Sequence, residues 1–240
     1  MNVVLLRVGI DTGSGGTHGP LFRDGSFEYL PIPDLTDGKG IDERTYGNTE
    51  DRHGRTLVEY LPESHRLRMR DQSMHVDPEF ETFTYGDPTP PKAGLRHLES
   101  GDLLVFYCGL QGWDFFSEPA LYIMGYFEVE FAGRTTDLPD RDVRQLFGYN
   151  FHLRHDKVYK RQRNRLVIVK GSKRSRLLTK AAKISAYGRD RAGRRLKVLA
   201  AGMQEVFGDF GGRISIQRSP PRWVHDSHVG GAAEFVRSLP

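Results

Sequence analysis

Asp102 to Trp113 reads DLLVFYCGLQGW and Ala120 to Phe131 reads ALYIMGYFEVEF. The first run is apolar or aromatic without a break from Leu103 to Cys108, as in a strand buried on both faces. The second ends in alternation, with Tyr126, Glu128 and Glu130 on one side and Phe127, Val129 and Phe131 on the other. Two such runs joined by a short loop predict neighbouring central strands. The resulting fold class is α+β, a central mixed or antiparallel sheet with a few flanking helices and long loops. The connecting loop carries Trp113, Asp114, Phe115 and Phe116. Core packing accounts for some of these rings. Tyr107 and Trp113 are the candidates for stacking on a base.

Towards the N-terminus, Val3 to Leu6 predicts a first strand, and RVGIDTGSGGTHGP follows from Arg7 to Pro20. A strand running into a glycine-rich turn can bring bare backbone N–H groups to an anion or a flat ring. Arg7, Gly13, Ser14, Gly15 and Gly16 are the candidate phosphate-binding positions there. Asp11 and His18 are the candidate acid–base pair, with Asp34 beyond the next hairpin as a third candidate. A flexible surface turn explains the same glycines without any ligand. Asp24-Gly25 marks that hairpin, and Pro31 to Asp34 ends it. Thr36 to His53 reads as a long polar loop and Asp71 to Pro91 as irregular. So much irregular backbone suggests loops that build a site.

In the second half, Asp140 to Gly148 reads as a helix with Val143, Leu146 and Phe147 on one face. His152 to Arg165 is a strongly cationic stretch, suited to a solvated loop or a phosphate-binding edge. Leu166 to Val169 is a third strand. Lys170 to Arg176, KGSKRSR, then leads into Leu177 to Ile184, whose spacing predicts a helix. Lys170, Ser172, Arg174 and Ser175 are therefore further phosphate-binding candidates at a helix start. The expectation is that this turn and the glycine loop face one shared cleft, with a nucleotide phosphate on the turn and the base or sugar against the loop. Ala192-Gly193 and Asp209 to Arg213 are turns. Ser219 to Trp223 reads as extended, and residues 225–240 as ending in a short helix.

The 240 residues suffice for a sizeable core, and the reading is of one domain, 1–240, with an acidic half and a basic half. Residues 1–133 carry 11 Lys+Arg against 22 Asp+Glu, and residues 134–240 carry 24 against 9, within a net charge of +4. One basic face suggests nucleic acid or a free nucleotide as partner. The alternative is a basic half that packs on the acidic half of the same chain or of a second copy. The single cysteine, Cys108, excludes an internal disulfide and a cysteine-based zinc site. No apolar run reaches the ~18 residues of a membrane span, and no secretory leader is recognisable. These features lead to an expectation of the cytoplasm.

Familiar catalytic motifs are missing. No GxSxG elbow, Walker loop or GxGxxG fingerprint has the required spacing. His152 and His155, like His225 and His228, are three apart but match no metal motif, so no metal ligand is assigned, and the cofactor is left unknown.

The opening LLRVGIDTGSGGTHGPLFRDGSFEYLPIPD resembles the start of the third family of nucleotide modification associated domains. The matching positions are Arg7, Gly9, Asp11, Gly15, Gly16, Pro20, Asp24, Gly25 and Pro31 to Asp34. Gly101 to Tyr107, Tyr122 to Val129 and Gly171 to Ser185 resemble later segments of that family. The resemblance implies a setting in phage or bacterial systems that make or handle modified DNA bases, with DNA favoured over RNA. It implies no particular reaction. The GD-plus-aromatic strand followed by a GY-type strand also looks like PUA-like and EVE-like barrels, which bind modified bases. A partly closed barrel acting as a reader is thus the alternative to an enzyme, and an assembly role for the charged halves is a third.

Overall fold

The computed structural model describes residues 1–38, 40–217 and 220–240. In chain order the strands are β1 Val3–Arg7, β2 Gly19–Leu21, β3 Ile32–Pro33, β4 Met74–His75, β5 Thr84–Asp87 and β6 Leu103–Gly112. There follow β7 Ala120–Arg134, β8 Val167–Gly171, β9 Arg176–Lys183, β10 Ser185–Arg189, β11 Arg195–Leu199 and β12 Arg222–Trp223. The helices are α1 Glu63–Met69, α2 Asp140–Phe147, α3 Phe151–Arg154, α4 Asp156–Gln162, α5 Ala201–Phe207 and α6 Asp226–Ser238. Short 3₁₀ turns complete the set.

An eight-stranded sheet runs in the order β12-β1-β6-β7-β8-β5, with β2 added beside β6 and β9 beside β7. The expected α+β class with a mixed sheet is observed, and the sheet does not close into a barrel. The two runs quoted first are the antiparallel pair β6 and β7 at its centre. Leu103 to Leu110 is buried throughout, because both faces are covered. Phe106 meets Phe127 and Phe80 edge to face at 4.7 and 5.7 Å. Helices α5 and α6 pack on each other through Phe207 and Phe235 and feed Val229, Ala232, Ala233 and Val236 into the same core.

The register places the loops. β1 pairs parallel with β6 so that Arg7 faces Tyr107, and β2 resumes on the same edge with Gly19 facing Leu110. Residues 8–18 therefore leave and rejoin one edge while β6 advances only by Cys108 and Gly109. The glycine-rich stretch is an excursion thrown out beyond the end of β1.

On the far edge of β7 a similar switch occurs. β8 pairs with Val129 to Arg134 and β9 with Tyr122 to Tyr126. The helix expected over Leu177 to Ile184 is thus a strand. The spacing of Leu177, Leu178, Ala181 and Ala182 suits a helix. The open edge of β7 at Tyr122 to Tyr126 offers ladder hydrogen bonds, and that tertiary demand wins over local pattern.

Two smaller cores flank the sheet. The segment expected as loop, Thr36 to His53, wraps around fully buried Tyr46, whose hydroxyl donates to the Pro31 carbonyl at 2.6 Å. With Leu57, Leu61, Met69 and Met74 it forms a compact cluster. The third core joins Val143 and Phe147 of α2 to Leu153, Tyr159 and Ile168. Leu146, expected on the same face, is 37% exposed instead. Most of His152 to Arg165 is helical (α3 and α4), with a break at His155 and a turn after Gln162. The extended reading of residues 219–223 is met by β12 at Arg222 and Trp223, while Ser219 lies outside the described residues.

Candidate functional site: a cleft between the glycine loop and residues 75–92

The residues leaving β1 form one wall of a cavity of about 400 Å³, with Arg7, Gly9, Asp11 and Ser14 lining it. The opposite wall comes from His75, Asp77, Tyr85 and Asp87, in the stretch the sequence marked only as irregular, and from Lys92 just beyond it. The size falls in the ~300–1,000 Å³ range of small-molecule sites.

Asp11 shapes the first wall. Its Oδ1 accepts from the backbone N–H of Gly13 and of Ser14, each at 2.7 Å, and its Oδ2 pairs with Arg7 Nη2 at 2.8 Å. The Asp11 carbonyl takes the N–H of Ser14 and Gly16 as well. The amides of Gly13, Ser14 and Gly16, expected to be bare, are thus folded back onto Asp11. The loop closes on its own carboxylate and does not form an open nest. Gly15 has φ +105°, and a Cβ there would lie 2.4 Å from the Ile10 side chain. Only glycine allows Ile10 to reach the core beneath it.

His18 stands apart from the cavity lining. Its ring packs over Gly109, and its Nε2 accepts from Lys197 Nζ of β11 at 3.4 Å. Burial, with Lys197 and Arg7 nearby, pushes its pKa down to about 4, so the ring is neutral near pH 7. The cation that the basic half brings to the glycine loop is therefore Lys197.

Asp34 is buried and accepts from the N–H of Thr36, Ile41 and Asp42. Those bonds engage it in pinning the start of the Tyr46 cluster, away from the cavity lining. Tyr107 is fully buried with its hydroxyl on the Ile216 carbonyl, so it offers no face to a base. Trp113 is 37% exposed, but it lies against Tyr60 and lines a separate hollow with Phe22, His53 and Arg55.

The Lys170 to Arg176 segment lies at the other end of the sheet, beside Glu128, which pairs with Leu103 at the start of β6. Ser172 donates its N–H to the Glu128 carbonyl, and Ser175 Oγ accepts from the Glu128 N–H at 3.1 Å. The two serines close the gap where β7 changes partner from β9 to β8. Arg174 pairs with the Glu128 carboxylate, and Lys170 Nζ donates to the Thr82 carbonyl. The expected meeting of this turn with the glycine loop does not occur, because no helix starts here and β1 runs the length of the sheet between them.

The second wall holds a constellation that sequence spacing did not reveal. His152 and His155 point to different partners: His155 to Asp42 at 3.1 Å, and His152 Nε2 to His75 Nε2 at 3.2 Å. Asp77 Oδ2 lies 3.5 Å from the same His152 nitrogen. Among the described residues, His75, Asp77 and His152 are the one group of three metal-ligating side chains whose donors all lie within 4.8 Å of one another. Behind them, His152 Nδ1–H donates to Gln162 Oε1 at 2.6 Å, and the Gly86 N–H donates to Asp77 at 3.0 Å. The His75 ring stacks on Phe151 at 4.0 Å. Burial pushes Asp77 up to about 6, partly offset by its bonds to His152, and burial holds His75 well below its ordinary value. The only prior signal for His75 and Asp77 was their position in a long stretch rich in prolines.

Compared with known families, residues 2–237 match the model of nucleotide modification associated domain 3, and the chain belongs to that family. No curated protein and no solved structure matches it. No helix among the described residues is long and apolar enough to cross a membrane.

Proposed function

We propose that this chain acts on a nucleotide, free or in DNA, within the cleft between the glycine loop and residues 75–92. The observation that carries this reading is convergence. The loop that resembles the family's opening and a titratable wall more than 60 residues later line one cavity of ligand size. Arg7 and Lys92 stand on opposite walls, each paired with a carboxylate, Asp11 or Asp87, at 2.8 and 2.7 Å. Such pairs can exchange a carboxylate for a phosphate oxygen without moving the cation far. Asp11 then acts as a positioning residue that holds Arg7 and the loop. Asp77 and His75 are the groups placed to touch a substrate. DNA is favoured over RNA on the family's association with DNA base modification.

A second reading, a non-catalytic reader, draws on the hollow of about 370 Å³ at Trp113, Tyr60 and Phe22, with Arg55 beside them. Aromatic faces next to a guanidinium suit an unpaired base. The two readings separate in one binding series with deoxynucleoside monophosphates and short single-stranded DNA. The cleft reading expects Arg7→Ala and Lys92→Ala each to weaken binding about tenfold or more, with Trp113→Ala near wild type. Loss confined to Trp113→Ala, with Arg7→Ala unaffected, would sink the cleft reading in favour of the reader.

A further inference from the structure

We propose that His75, Asp77 and His152 bind one divalent transition-metal ion at the cleft wall, with its remaining coordination positions open to the cavity. The ion site stands whether or not a nucleotide is the substrate.

The spacing of the donors is the first argument. Two nitrogens each ~2.1 Å from an ion, at an angle of ~100°, lie ~3.2 Å apart. The Nε2 atoms of His75 and His152 are 3.2 Å apart, and the nearer Asp77 oxygen is 3.5 Å from His152 Nε2. The second argument is orientation. Gln162 Oε1 can only accept, so the hydrogen of neutral His152 sits on Nδ1 and its Nε2 presents a lone pair. Asp77 is aimed by the Gly86 N–H and by Asn150 Nδ2. A Cβ at Gly86 would stand 2.9 Å from the His152 ring and 3.0 Å from Asn150 Oδ1, so the strand comes this close only as glycine. These are the outer contacts that ligating imidazoles and carboxylates use elsewhere.

Access and charge agree. His75 and Asp77 line the cavity, whereas His152 lies behind them, so an ion would have protein on one side and the cleft on the other. The lining holds the carboxylates Asp11, Asp77 and Asp87 against the cations Arg7 and Lys92. A dication turns that negative balance positive and gives an anionic substrate a reason to enter. Two imidazoles and one carboxylate favour iron(II), cobalt, manganese or zinc over calcium or magnesium, which prefer oxygen donors. Without an ion, the same atoms would make a plain His75 to His152 hydrogen bond, and the experiment distinguishes the two.

Full-length protein, purified without a histidine tag and stripped with chelator, is titrated with cobalt(II) and with zinc(II). The readouts are metal content, the visible cobalt spectrum and melting temperature. The proposal expects about one ion per chain, a cobalt spectrum typical of nitrogen and oxygen donors, and a raised melting temperature. His75→Asn and Asp77→Asn should each weaken uptake at least tenfold. Gln162→Leu, which leaves all three donors in place, should weaken it about tenfold. His228→Ala should change nothing. Failure of the wild type to take up an ion would overturn the site, and so would uptake undiminished in His75→Asn, Asp77→Asn and Gln162→Leu together. Should the two donor variants fail to fold, Gln162→Leu and the wild-type titration decide. Nucleotide binding by the stripped protein is measured separately, so loss of the ion site and loss of the cleft reading are distinct results.

Discussion

The two ends of strand β1 are built from similar residue types and put them to opposite use. At the C-terminal end, Arg7 and Asp11 face a cavity, and the second wall supplies His75, Asp77 and Lys92. Towards the N-terminal end, a Gly-Ser-Lys-Arg-Ser turn closes on Glu128, and its Arg174 pairs with the Glu128 carboxylate. That carboxylate is only 5% exposed and receives both Arg174 and Arg237. Glycine, hydroxyls and cations in a short stretch look alike in sequence at both ends. What separates them is whether a nearby strand edge or buried carboxylate already claims the polar groups. The lesson extends to other cations of the basic half. Arg154 pairs with Asp42 and Glu43, Arg161 with Asp37 and Arg195 with Glu118, so part of its charge answers the acidic half of the same chain.

The sharpest way to break the comparison is a matched glycine pair. Gly15→Val places a side chain at φ +105° and against Ile10. We expect about 3 kcal/mol of lost stability in urea unfolding, together with loss of nucleotide binding. Gly171→Ala would set a Cβ 2.4 Å from Ser175 Oγ and 2.9 Å from Phe127 Cβ. It should cost about 1–3 kcal/mol yet leave binding by the folded protein unchanged. Equal effects of the two on binding would erase the distinction between the ends. Next in size, Glu128→Gln removes a buried carboxylate from two guanidinium groups. We expect about 2 kcal/mol of destabilisation and no change in binding or metal uptake.

A smaller effect concerns pH. His18 has a folded pKa of about 4 against an unfolded value of 6.5. Between those values the unfolded chain holds more protons, so stability falls as pH drops from 6.5 towards 4. Allowing for screening at this partly exposed ring, the loss is about 1–2 kcal/mol. His18→Gln should flatten that part of the stability profile. An unchanged slope would mean that burial of His18 is not the source of that pH dependence. The least effect is expected from Arg174→Ala, whose side chain is 77% exposed, at under about 1 kcal/mol.

Much of the sheet was legible because strands buried on both faces write themselves as unbroken apolar runs, as in Leu103 to Cys108 and Leu166 to Val169. The glycine loop was legible for the same reason as any turn needing positive φ: Gly9, Gly15 and Gly16 all have it. Strand β9 was not, because its pairing answers an open edge some 50 residues away and its own spacing reads as a helix. The cluster around Tyr46 was hidden because scattered residues, Leu30, Tyr46, Leu57 and Met74, build it without periodicity. The second wall of the site was hidden more deeply. His75 and His152 are 77 residues apart and meet only when α3 packs by β5, so local metal-motif spacing compares His152 with the wrong histidine.

Amide hydrogen exchange of the full-length, metal-loaded protein with and without a saturating deoxynucleotide tests the central claim most directly. The account predicts new protection in residues 8–16 and 75–92 and none in residues 172–176. Protection confined to 172–176, with both cleft segments unchanged, would contradict it.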